Sequence, residues 1–368
     1  MQIACSRDVL QKAVSIVSKA VSSKTTMPIL ECILLQTRDN QIFITANDTE
    51  LGIETMIEGE IQEDGKIAVD AKIFSEIVRR LPDSIVFIKS ETNDLISIQC
   101  EKASFSIPGR NAEEFVYMPE VEKNKHITLS QFTLKEIIRQ TIFSIADNGS
   151  NPMMSGELIE VNENQLKIVS LDGHRISIRK VTLKDVFEPV KVVIPGKTLN
   201  EVSKILNGDA ESEVSLYFTS NHVLFEFDQT TVVSRLIEGE YFRISQMLNS
   251  DYDTKVSVNK KDMSSCIDRA TLLVKESDKK PIIIGITDGN MEVRLNSSLG
   301  SMQEELAIEK TGKDILIGFN PKFLADALRV IDDETIQIYM INPKAPCFIK
   351  DSDETYIYLI LPVNFNVY

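Results

Sequence analysis

The sequence predicts an α+β fold of three repeated domains, each with two helices packed on antiparallel sheets, and three observations predict it. A ten-residue helical pattern occurs three times at one spacing, a second amphipathic helix precedes each copy, and the intervening stretches read as short strands. KIFSEIVRRL at 72–81 matches KTLNEVSKIL at 197–206, and KFLADALRVI at 322–331 follows at the same offset of 125 residues. The shared pattern is K-x-[FL]-x-[ED]-[IVA]-x-[RK]-x-[LI], and three copies at one period mark an internal repeat.

Each copy follows a β-rich run, IAVDA, VVIPG or ILIGFN, and places apolar residues at helical spacing. This reads as strand, turn and short amphipathic helix. The second helix is expected over 6–20, 130–143 and 259–273, aligned through Leu10, Ala13 and Val14, through Leu134, Ile137 and Ile138, and through Met263, Cys266 and Ile267. Segments such as QIFITAND, QLKIVSLDG and NMEVRLNSS alternate in polarity between Asn, Asp and Gly, as antiparallel strands and hairpins do. The repeat divides the chain into domains 1–125, 126–247 and 248–368, an ordinary size for separate cores. Three near-equal units invite an arc, and a twofold pair of arcs would close a ring of six.

Composition narrows the class. With 43% hydrophobic and 26% charged residues over 368 positions, the chain can bury sizeable cores and has no disordered bias. Cys5, Cys32, Cys100, Cys266 and Cys347 are odd in number, far apart and in no C-x-x-C pair, so they are expected as small buried apolar residues rather than a disulfide or zinc framework. No stretch approaches eighteen apolar residues and the amino terminus lacks a signal core, so a cytoplasmic protein without membrane contact is expected.

A net charge of −15 argues against nucleic acid unless positive charge is concentrated. It is concentrated: the six predicted helices together carry about +8, leaving about −23 elsewhere. Helices sharing one surface would hold a phosphate backbone through salt-sensitive contacts that read no sequence. The alternative is that Lys and Arg are ordinary helix formers on solvated faces.

No catalytic, metal or cofactor site is expected. Pro195-Gly196-Lys197-Thr198 imitates the end of a P-loop, but Lys191 stands where that motif needs its first glycine. Ser170, Asp172 and His174 cannot form a linear relay from one strand. His126 and His222 lack ligands at metal spacing and read as surface or loop residues.

KAVSSKTTMPIL at 19–30, FSEIVRRLP at 74–82, LDGHRISIRK at 171–180, VVIPGK at 192–197 and LILPV at 359–363 carry a resemblance along the whole chain. With them the sequence resembles the bacterial replicative polymerase β sliding clamps, most closely those of low-GC Gram-positive bacteria. The resemblance implies three DNA-clamp domains forming half of a ring, in a head-to-tail homodimer that encircles double-stranded DNA. It implies a non-enzymatic subunit that confers processivity on the replicative DNA polymerase. One peptide cleft per subunit would receive short linear motifs of polymerase, clamp loader, mismatch-repair and ligase proteins. Its walls would be Met154, Leu171, Gly173, His174, Arg175, Ile176, Met247, Asn320, Phe323, Ile360, Leu361, Pro362 and Val363, mostly apolar with a few polar fixers. DNA contacts would come from Lys24, Arg79, Arg80, Lys135, Arg139, Lys197 and Lys204, and the ring interface would set Phe105 against Leu272 and Leu273.

Two departures bear on the cleft. Gly239-Glu240-Tyr241-Phe242-Arg243 stands where the family usually has G-x-[FY]-P-D, and the tail runs past Val363 to Tyr368 without the family's common arginine. The alternatives in function are a protein-binding scaffold that does not encircle DNA, its basic helices set against an acidic partner, and a specialised paralogous clamp.

Overall fold

The computed structural model describes every residue except 23, 92–93, 147–150, 249–250, 276–279 and 366–368. The first repeat supplies β1 (Gln2–Ser6), α1 (Arg7–Val17), β2 (Cys32–Arg38), β3 (Gln41–Asn47), β4 (Leu51–Ile57), β5 (Glu60–Glu63), β6 (Lys66–Asp70), α2 (Ala71–Arg80), β7 (Ile85–Ser90), β8 (Leu95–Cys100) and β9 (Ala103–Arg110). The second supplies β10 (Lys125–Ser130), α3 (Gln131–Thr141), β11 (Gly156–Leu171), β12 (Arg175–Pro195), α4 (Gly196–Ile205), β13 (Glu213–Phe218), β14 (His222–Phe227) and β15 (Thr230–Arg235). The third supplies β16 (Thr254–Asn259), α5 (Lys260–Thr271), β17 (Ile282–Thr287), β18 (Asn290–Ser297), β19 (Gly300–Gly312), β20 (Ile315–Phe319), α6 (Pro321–Val330), β21 (Thr335–Met340), β22 (Cys347–Lys350) and β23 (Tyr356–Ile360). Each expected helix is present at its expected place.

The helices start where a short polar side chain ends a strand. Ser6 Oγ accepts from the Val9 amide, Asp70 from Ile73 and Asn259 from Asp262, each filling one of the amides a first turn leaves open. Asn320 caps α6 with Pro321 next, the position where a missing N–H costs nothing. Leu10, Ala13, Val14 and Val17 give α1 one buried stripe, and Phe74 and Val78 do the same for α2. Truncating a core side chain as large as Phe74, which is fully buried, costs about 3–5 kcal/mol.

The strands form two compact units. In the first, residues 1–134 and 197–236, thirteen strands join in the order β10-β13-β14-β15-β4-β3-β2-β6-β9-β8-β7-β1-β5. In the second, residues 135–196 and 237–368, ten strands join in the order β11-β12-β23-β22-β21-β16-β19-β18-β17-β20. Each unit therefore contains one seam where strands of different repeats pair edge to edge, β15 with β4 and β23 with β12. All five cysteines are buried and unpaired, as small apolar residues are. His126 is exposed on β10 and His222 half-buried on β14, so of the two places expected for them, surface or loop, they take the sheet surface. No helix among the described residues is long and apolar enough to cross a membrane.

Candidate functional site

The segment LDGHRI turns the chain from β11 into β12. Asp172 Oδ1 accepts from the His174 and Arg175 amides at 2.9 and 3.1 Å, and Gly173 adopts φ +86°, a conformation that favours glycine. The turn is held against the carboxyl-terminal segment, because the Leu361 amide donates to His174 O at 2.9 Å and β12 pairs with β23 from Arg175 opposite Ile360.

Arg175 is a buried strut. Its Nε donates to Asp172 Oδ2 at 2.9 Å, one terminal nitrogen to Asp326 Oδ2 at 2.7 Å, and the other to Phe143 O at 2.5 Å. The guanidinium also stands 4.3 Å from the Phe323 ring centroid. With all three nitrogens engaged and 7% of the residue exposed, its charge holds the turn to α6 rather than facing solvent. The His174 ring stacks on Phe323 at 6.2 Å, and Phe323 O accepts from the Tyr358 hydroxyl.

Around this strut the structure gathers much of the implied apolar wall. Leu171 and Ile176 belong to a buried cluster on which Met154 and Leu361 pack. Ile360 and Phe323 belong to or pack on the core of the third repeat, and the Val363 amide donates to Gly318 O at 2.8 Å. Pro362 is half-buried beside them, Asn320 is occupied in capping α6, and Met247 is 44% exposed. Sequence reasoning missed Tyr241, Phe242, Ile244 and Leu248, which complete the same cluster. Tyr241 donates to Val169 O at 3.2 Å, so the departing segment 239–243 packs down despite lacking the family's proline. The run of Tyr and Phe after a glycine was the signal available for it.

Behind this wall lies Glu157, fully buried on β11. Neither carboxylate oxygen has a hydrogen-bond partner, since the nearby Thr141 hydroxyl donates to Ile137 O. Burial pushes its pKa from 4.5 up to about 8, so it is a neutral acid at pH 7.

The expected DNA-contacting cations are exposed or half-exposed, and most carry an acid. In the first unit Arg79 and Arg80 pair with Glu76 at 2.7 and 2.9 Å, Lys204 with Glu201 at 2.8 Å and Lys197 with Asp48 at 2.5 Å. Lys24 is exposed. In the second unit Arg139 pairs with Glu136 at 2.6 Å and Asp332 at 3.1 Å, which raise its pKa against the opposing effect of burial, and Lys135 is half-buried.

Of the expected interface residues, Phe105 is 38% and Leu272 76% exposed, while Leu273 packs on the third-repeat core. Phe105 lies on β9, which pairs with β8 along one edge and with β6 only at Gly109 and Arg110. Similarly, Gly300–Ala307 of β19 pair with β18, and β16 joins only from Ile308 onward. Among the described residues, both strands thus keep a free edge. No group of three or more His, Cys, Asp or Glu among them is placed to hold a metal ion.

Comparison with known proteins gives one consistent result. The N-terminal, central and C-terminal domain families of the DNA polymerase III beta subunit match residues 1–119, 128–242 and 245–364. The beta sliding clamp of Bacillus subtilis is 34% identical, and that of Staphylococcus epidermidis 31%, each over 99% of both chains. A solved structure from Eubacterium rectale described as a DNA polymerase III beta subunit is 63% identical with a TM-score of 0.97, covering 100% of both chains. The Bacillus subtilis DNA polymerase sliding clamp is 32% identical with a TM-score of 0.96, again over 100% of both.

Proposed function

Because the chain belongs to the DNA polymerase III beta subunit family, the beta sliding clamps, we propose that it is the non-catalytic processivity subunit of a replicative polymerase, acting as a homodimeric ring around duplex DNA. Its domains run 1–125, 126–247 and 248–368.

The observation that carries the ring is the register of the two seams. In the first unit Val232 of the second repeat lies opposite Ile53 of the first. Adding the repeat offset of 125 to both gives Ile357 opposite Ile178, which is the pairing found in the second unit. One more step of the same rule sets Ile107 of one subunit opposite Gln303 of another, on the two strands whose edges are free. A heterologous edge on each end, related by a twofold axis, closes two chains into a ring of six repeats without a new kind of contact. Phe105, Leu272 and Leu273 flank that junction, and the exposure of Phe105 and Leu272 supports the assignment.

Within the ring, Lys24, Arg79, Arg80, Lys135, Arg139, Lys197 and Lys204 meet phosphates without reading bases. Short motifs of polymerase, clamp loader, mismatch-repair and ligase proteins dock on the wall formed by Met154, Leu171, Ile176, Phe323, Leu361 and their neighbours, with Arg175 fixing its shape. The test is topological. Protein loaded by its cognate loader onto nicked circular DNA stays bound in high salt and is released when the circle is linearised. No retention with a working loader would replace the ring with a scaffold that does not encircle DNA.

A further inference from the structure

The repeated helix carries an acid and a base three residues apart in every copy. In the first two copies the pair is closed, Glu76 with Arg79 and Glu201 with Lys204, and Glu76 also holds Arg80. In the third copy the acid is diverted: Asp326 stands 2.7 Å from Arg175 and 3.5 Å from Arg329. The first unit also has a concave surface lined by Arg7, Gln11, Lys12 and Lys19 on one side and by Lys204 and Ile205 at the end of α4 on the other. Among the described residues Lys12 and Lys19 have no ion-pair partner. The unit therefore presents two kinds of cation, the lysines Lys12 and Lys19 without an ion pair and those held by an acid, with Lys204 of the second kind lining the same depression.

Stability does not account for the held pairs. Arg79, Arg80 and Lys204 are 59%, 71% and 48% exposed, and exposed pairs contribute about 0–1 kcal/mol. Their larger effect is on a phosphate, which must displace or share with a carboxylate already in hydrogen-bond contact. A ring kept on DNA by closure needs no strong grip, and every strong contact must break at each step along the duplex.

We propose that Glu76 and Glu201 keep Arg79, Arg80 and Lys204 partly neutralised so that the grip on duplex DNA stays weak enough for sliding, with Lys12 and Lys19 supplying the residual attraction. This rests on the reading that these helices face DNA. The sign of the effect is opposite to that of a positioning role, in which the carboxylates would orient the cations toward phosphate and their loss would weaken binding.

The experiment measures binding of the full-length protein to a short fluorophore-labelled linear duplex, by anisotropy across a salt series. Glu76→Gln with Glu201→Gln is expected to bind about 5- to 30-fold tighter at low salt, with the log Kd against log salt slope steeper by up to about 2. Lys12→Ala with Lys19→Ala, and separately Arg79→Ala with Lys204→Ala, are expected to weaken binding. Unchanged or weaker binding by the double Gln variant, while the cation variants lose affinity, overturns the proposal and leaves the DNA reading standing. If none of the cation variants loses affinity, the DNA reading of this face fails and takes the proposal with it.

Discussion

Replacing Glu157 tests how the core of the middle repeat treats charge. The carboxyl is fully buried without a hydrogen-bond partner, and burial raises its pKa from 4.5 to about 8. Between those values the folded chain keeps a proton that the unfolded chain gives up. The unfolded state then binds fewer protons, so stability is greatest below about pH 4.5, falls as pH rises and levels off above about pH 8. At about 1.4 kcal/mol per pH unit, the interval amounts to about 5 kcal/mol. Glu157→Gln keeps the shape and removes the titration. Its stability relative to the parent should therefore climb with pH, from little difference at about pH 4.5 to about 3–5 kcal/mol in favour of Gln at about pH 9. Urea unfolding of both proteins at one fixed concentration gives the difference directly, with the other titrating groups and dimer dissociation common to both. A difference that stays constant from about pH 5 to 9 would refute the reasoning, because the carboxyl would then have to be ionised in the folded protein.

Three further outcomes follow from the site. Arg175→Met should destabilise by about 3–5 kcal/mol, since it leaves Asp172 and Asp326 without their shared partner, and Arg175→Lys should recover little because one ammonium cannot serve three acceptors in that geometry; thermal melting checks both, and a parent-like melt would show that the strut is dispensable. Phe323→Ala should weaken binding of a short clamp-binding peptide at least about tenfold in calorimetry, and full affinity would remove Phe323 from the cleft. Ile107→Cys combined with Gln303→Cys should form a disulfide-linked dimer under mild oxidation, whereas pairing Ile107→Cys with Glu305→Cys should not, so equal yields would reject the register derived from the two seams.

The helices and several of the strands were legible because their signals are local. Apolar spacing and the Asn, Asp and Gly that bound the strand segments lie within a turn or two of the element they specify, and the period of 125 residues repeats those local signals three times. The family signature extended that reading to candidate residues, among which Met154, Leu171, Ile176 and Leu361 come to one cluster. What those residues do once assembled was less legible. The sequence marks Arg175 as a candidate contact, yet its guanidinium is consumed by Asp172, Asp326 and Phe143, partners up to 151 residues away. Lys197 is expected as a DNA contact, yet Asp48, 149 residues earlier, pairs with it. Glu157, in a strand of mixed polarity, gives no local sign that burial will keep its proton.

The sequence by itself determined the number and period of the helices and the strand character of the segments between them, since each is set by short-range backbone and side-chain preferences that recur in three copies. Only the tertiary structure decided which strand edges are consumed within the chain and which remain free, because pairing β15 with β4 or β23 with β12 depends on edges brought together across repeats. The same long-range packing decided which charges are neutralised by a partner and which still face solvent.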